Sequence, residues 1–134
     1  MIESKLSISR IEKMLRTAIK TVYSGYVTYS DRPVKSNDNL SDFIVVRLNG
    51  SVNGTIATDE VISGKAIIMF ELWAKDKGSE KVKDVNRLIE MRDSLMSIIP
   101  YYDSDYRITY KNEVGNRDRI GFHAEFINFN LQII

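Results

Sequence analysis

The order of patterned segments along the chain is the feature that most constrains its fold. Two stretches have apolar residues at helical spacing, and the segments around them have the apolar runs or alternation of β-strands. This order is typical of an α+β domain. The sequence therefore predicts one domain over residues 1–134, with the order α-β-β-β-α-β-β and an antiparallel or mixed sheet of four to five strands packed against two helices.

The first helix is predicted from a capping box and an apolar stripe. Ser9 and Glu12 are three residues apart, so each side chain can satisfy a backbone N–H at the helix start. Apolar residues then recur at three- and four-residue spacing from Ile11 to Val22, whereas most basic residues lie off that stripe. Gly25 is the predicted terminator. The basic face is interpreted as a solvated flank or, alternatively, as a partner surface.

A long link between two strand-like runs is the main candidate for a functional segment. A short strand at Tyr26 to Tyr29 and a loop at Asp31 to Asp42 precede the runs Phe43 to Leu48 and Ala66 to Ala74. The link, Asn49 to Lys65, contains Asn-Gly and Ser-Gly pairs, which predict a hairpin with a long connection. Loops of that length are usually functional or disordered, and the apolar residues favour an interaction loop. The predicted interface residues are Val52, Asn53, Gly54, Ile56, Val61 and Ile62.

The second helix is predicted over Ser79 to Ile99, where an apolar stripe begins near Val82 and ends before Pro100. Arg92 occupies a position within that stripe. Two interpretations are open for it: an aliphatic stem that lies over the core with a solvated head, or an ion pair with a carboxylate.

A closing hairpin is predicted from Tyr106 to Ile133, with its turn within Asn112 to Asp118. The apolar positions change parity near Phe126 and Ile127, which predicts either a bulge there or a different packing partner beyond it. The apolar end is interpreted as a buried closing strand or as a contact with a neighbouring subunit. Three residues of this end therefore join the interface candidates: Leu131, Ile133 and Ile134.

Composition excludes several classes of function. The 134 residues include no cysteine, so disulfides, thiolate metal sites and cysteine nucleophiles are excluded. A net charge of +1 provides no overall field to attract nucleic acid or an anionic membrane. No run approaches the roughly 20 apolar residues that cross a bilayer, and the start has no signal-peptide pattern. We therefore expect a soluble protein without a membrane partner.

No catalytic, cofactor-binding or metal-ligating residue is predicted. His123 is the only histidine and lies in a strand without a recognisable acid–base motif, so a structural role is expected. A restriction-type nuclease would need lysine two positions after its carboxylate, whereas Lys75 is four positions after Glu71. The basic and aromatic residues of the last hairpin are interleaved with acidic residues, which favours a mixed-charge surface over sequence-specific nucleic-acid binding.

Taken together, these segments resemble the tail terminator and tail completion proteins of bacteriophages in order and size. The resemblance is carried by the helices at Ser9 to Ser24 and Ser79 to Ile99 and by the two hairpins. It implies a structural virion protein of the phage neck or tail, soluble in the host cytoplasm before assembly. Such a protein forms a homo-oligomeric ring, most commonly a hexamer, docks to portal, connector or tail tube proteins, and lets DNA pass through the ring lumen. Two alternatives are a metal-dependent, nuclease-like or nucleic-acid-processing enzyme on a similar core and a generic intracellular binding module.

Overall fold

Two helices and a six-stranded mixed sheet make up the computed structural model, which describes residues 7–29, 40–57, 60–78, 82–119 and 121–134. The elements in chain order are α1 (Ile8–Lys20), β1 (Tyr26–Thr28), β2 (Asp42–Ala57), β3 (Glu60–Lys75), α2 (Val85–Met96), β4 (Tyr101–Tyr102), β5 (Tyr106–Arg119) and β6 (Phe122–Ile133). The α+β prediction is confirmed, but the strand count is six rather than four to five. The additional strand is β4, whose two residues are too few to show periodicity in a sequence.

The sheet has the strand order β1-β2-β3-β6-β5-β4, so the two central strands come from different hairpins. Strand β1 runs parallel to β2, and all the other neighbours are antiparallel. The central pair, β3 and β6, has a continuous register from Gly64 opposite Ile133 to Lys75 opposite Phe122. The predicted strand at Tyr26 is confirmed, whereas most of the predicted loop before β2 lies outside the described residues.

Helix α1 begins two residues earlier than the capping box predicts. Its N-cap is Ser7, whose hydroxyl accepts a hydrogen bond from the Arg10 backbone N–H at 3.4 Å. The predicted cap at Ser9 is wrong because the chain is already helical there. The helix ends at Lys20, and Gly25 does not have the left-handed conformation of a terminator. The predicted stripe is confirmed by five buried residues: Ile11, Met14, Leu15, Ala18 and Ile19.

The predicted loop between the first two long strands is mostly strand. Strands β2 and β3 each have 16 residues, and their pairing continues through Asn53 opposite Lys65 to Ala57 opposite Glu60. The turn-forming Asn49-Gly50 pair lies at a register shift between Asn49 and Asn53, so a bulge accommodates it within the hairpin. We call the paired segments Asn53–Ala57 and Glu60–Lys65 the arm.

The parity change in β6 reflects two cores on opposite faces of the sheet. Ile127, Phe129, Leu131 and Ile133 pack in the larger core with both helices, whereas Phe122 and Ala124 pack in a smaller core with Phe43, Val45 and Trp73. The interpretation with a different packing partner is therefore confirmed. The register shifts lie in the neighbouring β5, between Tyr110 and Asn112 and between Glu113 and Gly115. The predicted turn over Asn112 to Asp118 is wrong, because β5 continues through it to Arg119.

Helix α2 is shorter than the apolar stripe predicts. It begins at Val85 because Asp84 caps it, accepting a hydrogen bond from the Arg87 backbone N–H at 3.1 Å, and ends at Met96. Leu88, Met91 and Leu95 are buried, whereas three predicted stripe residues are about half exposed: Val82, Val85 and Ile89. Arg92 pairs with Glu113 at 2.6 Å, so the ion-pair interpretation is confirmed for that residue.

Candidate functional site

The predicted interface residues fall in two very different places. Six of them, from Val52 to Ile62, belong to strands β2 and β3. Val52 directly precedes the arm, and the other five are part of it. Leu131 and Ile133 are buried in the larger core, which confirms the interpretation of this end as a closing strand. Ile134 is 44% exposed, and its backbone N–H donates to the Asp105 carbonyl at 2.8 Å.

The arm extends beyond the rest of the sheet. Strand β6 pairs with β3 only from Gly64 onward, so Glu60–Ser63 continue past the end of β6. Strand β1 pairs with β2 only at Phe43, Ile44 and Val45. Within the described ranges, the two strands of the arm beyond Gly64 therefore have only each other as strand neighbours. Ile56 and Val61 are paired across this two-stranded extension.

A pocket of about 610 Å³ lies on the sheet face opposite the helices. Its β3 residues alternate with those of the larger core, which is the geometry expected for opposite faces of a strand. The pocket joins polar and aromatic side chains from four strands, including Arg47, Met69, Glu71, Trp73, Arg117 and Phe126. The Arg117 guanidinium lies 5.8 Å from the centre of the Phe126 ring. This recess therefore combines guanidinium groups, carboxylates and aromatic side chains.

Glu71 is the buried charge of this pocket. Its carboxylate accepts hydrogen bonds from Arg47 Nε at 2.5 Å and from Trp73 Nε1 at 3.0 Å. Arg47 and Glu71 are diagonal neighbours across β2 and β3, because Val45 is the residue directly opposite Glu71. The sequence contains a signal for this pair, since Glu71 is the one charged residue in the apolar run Ala66 to Ala74. Its pairing with Arg47 depends on strand register, which the sequence pattern did not reveal.

Glu71 is also the residue on which the metal-dependent alternative depends. Both Glu71 oxygens accept hydrogen bonds from protein donors. In the portion of the chain that is described, no group of three or more histidine and carboxylate side chains is arranged to hold a metal ion.

His123 has a carboxylate partner that its local sequence does not show. Its Nδ1 lies 2.5 Å from Asp76 Oδ1, and the Asp76 backbone N–H donates to the Gly121 carbonyl at 2.8 Å. These contacts join the end of β3 to the turn before β6. The geometry is that of a structural pair that closes one end of the central strands.

A buried carboxylate also joins both helical regions to β2. Asp42 accepts hydrogen bonds from Arg87 at 2.9 and 3.0 Å, from Ser41 at 3.0 Å and from the Tyr23 hydroxyl. Burial alone would raise the pKa of Asp42, but the hydrogen bonds from Arg87, Tyr23 and Ser41 outweigh it and lower the pKa. Burial and the neighbouring carboxylate raise the pKa of Tyr23, so its hydroxyl stays protonated and donates. Sequence reasoning missed this network because its members are remote along the chain.

Ion pairs and cation–π contacts involve both strands of the last hairpin. Arg92 from α2 pairs with Glu113, and Lys83 pairs with Glu125 at 3.3 Å. The Arg107 guanidinium lies 5.0 Å from the Tyr102 ring centre, so this base is stacked on an aromatic side chain. In these two ion pairs the acidic residue belongs to the hairpin, whereas its basic partner lies in α2 or just before it.

Neither helix in the described ranges is long and apolar enough to span a membrane. Comparison of the chain with known protein families finds no matching family, and comparison with curated proteins finds no match either. The geometry of the chain itself is thus the basis for assigning a function.

Proposed function

We propose that the protein is a structural virion protein of the phage neck or tail, which assembles as a homo-oligomeric ring. The observation that carries the proposal is the arm, a two-stranded extension that reaches past the end of β6. A hexamer is the expected ring, with portal, connector or tail tube proteins as docking partners. Apart from the additional strand β4, the order of helices and strands is the one on which the resemblance to tail terminator and completion proteins depends, and to that extent it supports the proposal.

The residue types of the arm suit a contact with another subunit. Between Arg47 and Lys65 the sequence has no basic residue, and Ile56, Val61 and Ile62 are apolar. Two strands that have only each other as neighbours cannot bury much apolar surface by themselves. Burial against a second protein would stabilise them at about 25 cal/mol per Å² of apolar surface removed from water.

Ring formation follows from symmetry once the arm contacts a different surface of the next copy. A contact between two unlike surfaces is heterologous, and its repetition gives a closed ring when the rotation between subunits closes. Each subunit then gives one arm and receives one. Closure adds a final contact within a single assembly, so the ring is held more tightly than any one contact would suggest.

The proposal is tested by the mass and shape of the protein in solution. We expect native mass spectrometry and negative-stain electron microscopy to show a closed ring, either for the isolated chain at high concentration or after addition of a portal or tube partner. Ile56→Asp and Val61→Asp place a charge in the arm and should reduce ring formation at least tenfold while leaving the far-UV circular dichroism unchanged.

Val85→Asp is the matched control, because Val85 is an exposed valine at the start of α2 rather than in the arm. It should assemble as the unmodified chain does. A protein that stays monomeric at high concentration and in the presence of neck and tail proteins would contradict the proposal. Equal loss of assembly in the Val85 and Val61 variants would show that the arm is not the contact.

A further inference from the structure

The outer face of α1 carries several basic side chains, and they differ in whether an acidic residue pairs with them. Arg10 pairs with Asp105 at 2.6 Å, whereas Lys13, Arg16 and Lys20 are exposed on the same side of the helix. Across the described residues, neither Arg16 nor Lys20 is in an ion pair. Two positive charges four positions apart lie on neighbouring turns, close enough to act on one ligand.

A cavity of about 360 Å³ lies beside these two charges, between α1 and the segment that follows it. Its lining includes Arg16, Lys20, Tyr23, Ser24, Val27 and Tyr29. The lining therefore combines basic, hydroxyl-bearing and apolar side chains. None of the described residues that line it is acidic.

Arg16 is held in place at the cavity by an aromatic ring. Its guanidinium carbon lies 4.7 Å from the centre of the Tyr29 ring, which is a cation–π contact. This contact holds the guanidinium beside the cavity while its N–H groups remain able to donate. A planar, oriented guanidinium is the group that best matches the oxygens of a phosphate.

The Tyr29 hydroxyl is the second observation that points to a ligand. It is buried and, among the residues that the structure describes, has no hydrogen-bond partner. Buried hydroxyl groups in proteins are nearly always hydrogen-bonded, so an unpaired one indicates a missing acceptor. Burial raises the pKa of Tyr29 to about 12, so this hydroxyl is protonated at neutral pH and can donate.

We propose that this cavity binds a phosphate group, with Arg16 and Lys20 neutralising its charge and the Tyr29 hydroxyl donating a hydrogen bond. The end of α1 lies beside the cavity, and the helix dipole there opposes an anion, so both side-chain charges are needed. The phosphate could belong to a small phosphorylated molecule or to a nucleic-acid backbone, which share this chemistry. The site does not involve the arm and does not depend on ring formation.

Titration with inorganic phosphate, followed by ¹H–¹⁵N NMR, tests the site itself. We expect saturable shifts of the amides of residues 16–29, and affinities at least tenfold weaker for Arg16→Gln and for Lys20→Gln. Tyr29→Phe should weaken binding several-fold while keeping the fold, because it removes only the unpaired hydroxyl.

Lys13→Gln is the matched control, since Lys13 is exposed on the same helix but lines a different cavity. It should bind phosphate within twofold of the unmodified chain. Absence of saturable shifts would overturn the proposal. An effect of Lys13→Gln equal to that of Lys20→Gln would also overturn it, because the attraction would then be diffuse.

Competition with duplex DNA distinguishes the two sources of phosphate. If the backbone is the source, a short duplex displaces inorganic phosphate, and Arg16→Gln lowers the slope of log K against log salt by roughly 0.9. If a small phosphorylated molecule is the source, the duplex does not compete and the phosphate shifts persist. Either result supports the site and identifies the class of its ligand.

Discussion

Asp42 is a single carboxylate on which the positions of three segments depend. Tyr23 follows α1, Arg87 is in the first turn of α2, and both donate hydrogen bonds to Asp42 at the start of β2. Because these donors favour the charged form, the pKa of Asp42 in the folded state lies below its usual value. The stabilisation is then fully present above the unfolded pKa, near 3.9, and is lost as pH falls through the lower folded pKa.

Replacing Asp42 with asparagine should destabilise the protein at neutral pH and reduce its sensitivity to acid. We expect Asp42→Asn to cost about 1–3 kcal/mol at pH 7, since Arg87 would lose its charged acceptor. The difference between the two proteins should shrink as the pH is lowered from 5 to below 3. Urea unfolding at several pH values measures both effects.

The matched control is Asp93→Asn, which changes an exposed aspartate of α2. Its free energy of unfolding should stay within about 0.5 kcal/mol of the unmodified chain, as is usual for surface substitutions. A gap between Asp42→Asn and the unmodified chain that stays constant down to pH 3 would contradict the role assigned to Asp42.

Local sequence identifies a buried charge only where its neighbours in the chain are apolar. Glu71 stands out for this reason within its strand. Asp42 falls in a segment whose composition predicts a loop, and its partners Tyr23 and Arg87 are 19 and 45 positions away. The pairing of these groups is set by how the helices pack on the sheet, so periodicity and spacing could not predict it.

At the scale of the helix, the position of the α1 cap can be tested by a pair of serine substitutions. Ser7→Ala should destabilise the protein by about 0.5–2 kcal/mol because it removes the hydroxyl that accepts from the Arg10 N–H. Ser9→Ala, inside the helix, should be neutral or slightly stabilising, since alanine has the higher helix propensity. Thermal and urea unfolding of both variants measures the difference, and the reverse ranking would restore the predicted cap at Ser9.

Helix α2 offers a similar comparison between two adjacent apolar residues. Leu88 is 1% exposed and Ile89 is 50% exposed, although both match the apolar stripe in the sequence. Leu88→Ala should therefore cost about 2–5 kcal/mol through lost burial and a residual cavity. Ile89→Ala should change the free energy of unfolding by less than about 0.5 kcal/mol. If urea unfolding gave the two variants a similar loss in free energy of unfolding, Ile89 would be buried as Leu88 is.

Local sequence predicts some helices and strands of this fold better than others. Within the helix the α1 stripe is predicted correctly, because Ile11, Met14, Leu15 and Ile19 pack in one core, whereas Val22 lies beyond the helix end. The α2 stripe is longer than the helix because Val82 and Ile99 also fit helical spacing but lie outside Val85–Met96. It is wider than the buried face because Val85 and Ile89 are about half exposed. The arm is missed because Asn-Gly favours a turn locally, whereas pairing with the opposite strand continues across a bulge.

At the scale of the whole molecule, the sheet is held most firmly at its centre. Strands β3 and β6 each have two neighbours, and residues on both of their faces lie in cores. The strands of the arm have one neighbour each beyond Gly64 within the described residues. Opening of the arm therefore breaks fewer hydrogen bonds and exposes less core than separation of the central strands.

Hydrogen exchange followed by mass spectrometry should show this difference directly. Amides of Thr55–Ala57 and Glu60–Ser63 should exchange at least a hundredfold faster than those of Ile68–Leu72 in the unassembled protein. The proposed ring adds a second expectation: the arm should become protected on assembly, whereas Ile68–Leu72 should not change. Protection of the arm equal to that of the centre in a monomer would mean that it is covered within the chain itself.

The two register shifts in β5 affect how molecules of this protein associate with one another. From Lys111 to Asp118 this strand is exposed, and at the described positions beyond Ile108 it has β6 as its only strand neighbour. A flat, open edge of that length would be a template for aggregation, since any passing strand could pair with it. The bulges at Tyr110–Asn112 and Glu113–Gly115 interrupt the spacing of its N–H and C=O groups, and Lys111 adds a charge. Growth of the sheet from one molecule into the next is thereby opposed, and we expect copies to associate through side chains rather than by forming a shared, fibre-like sheet.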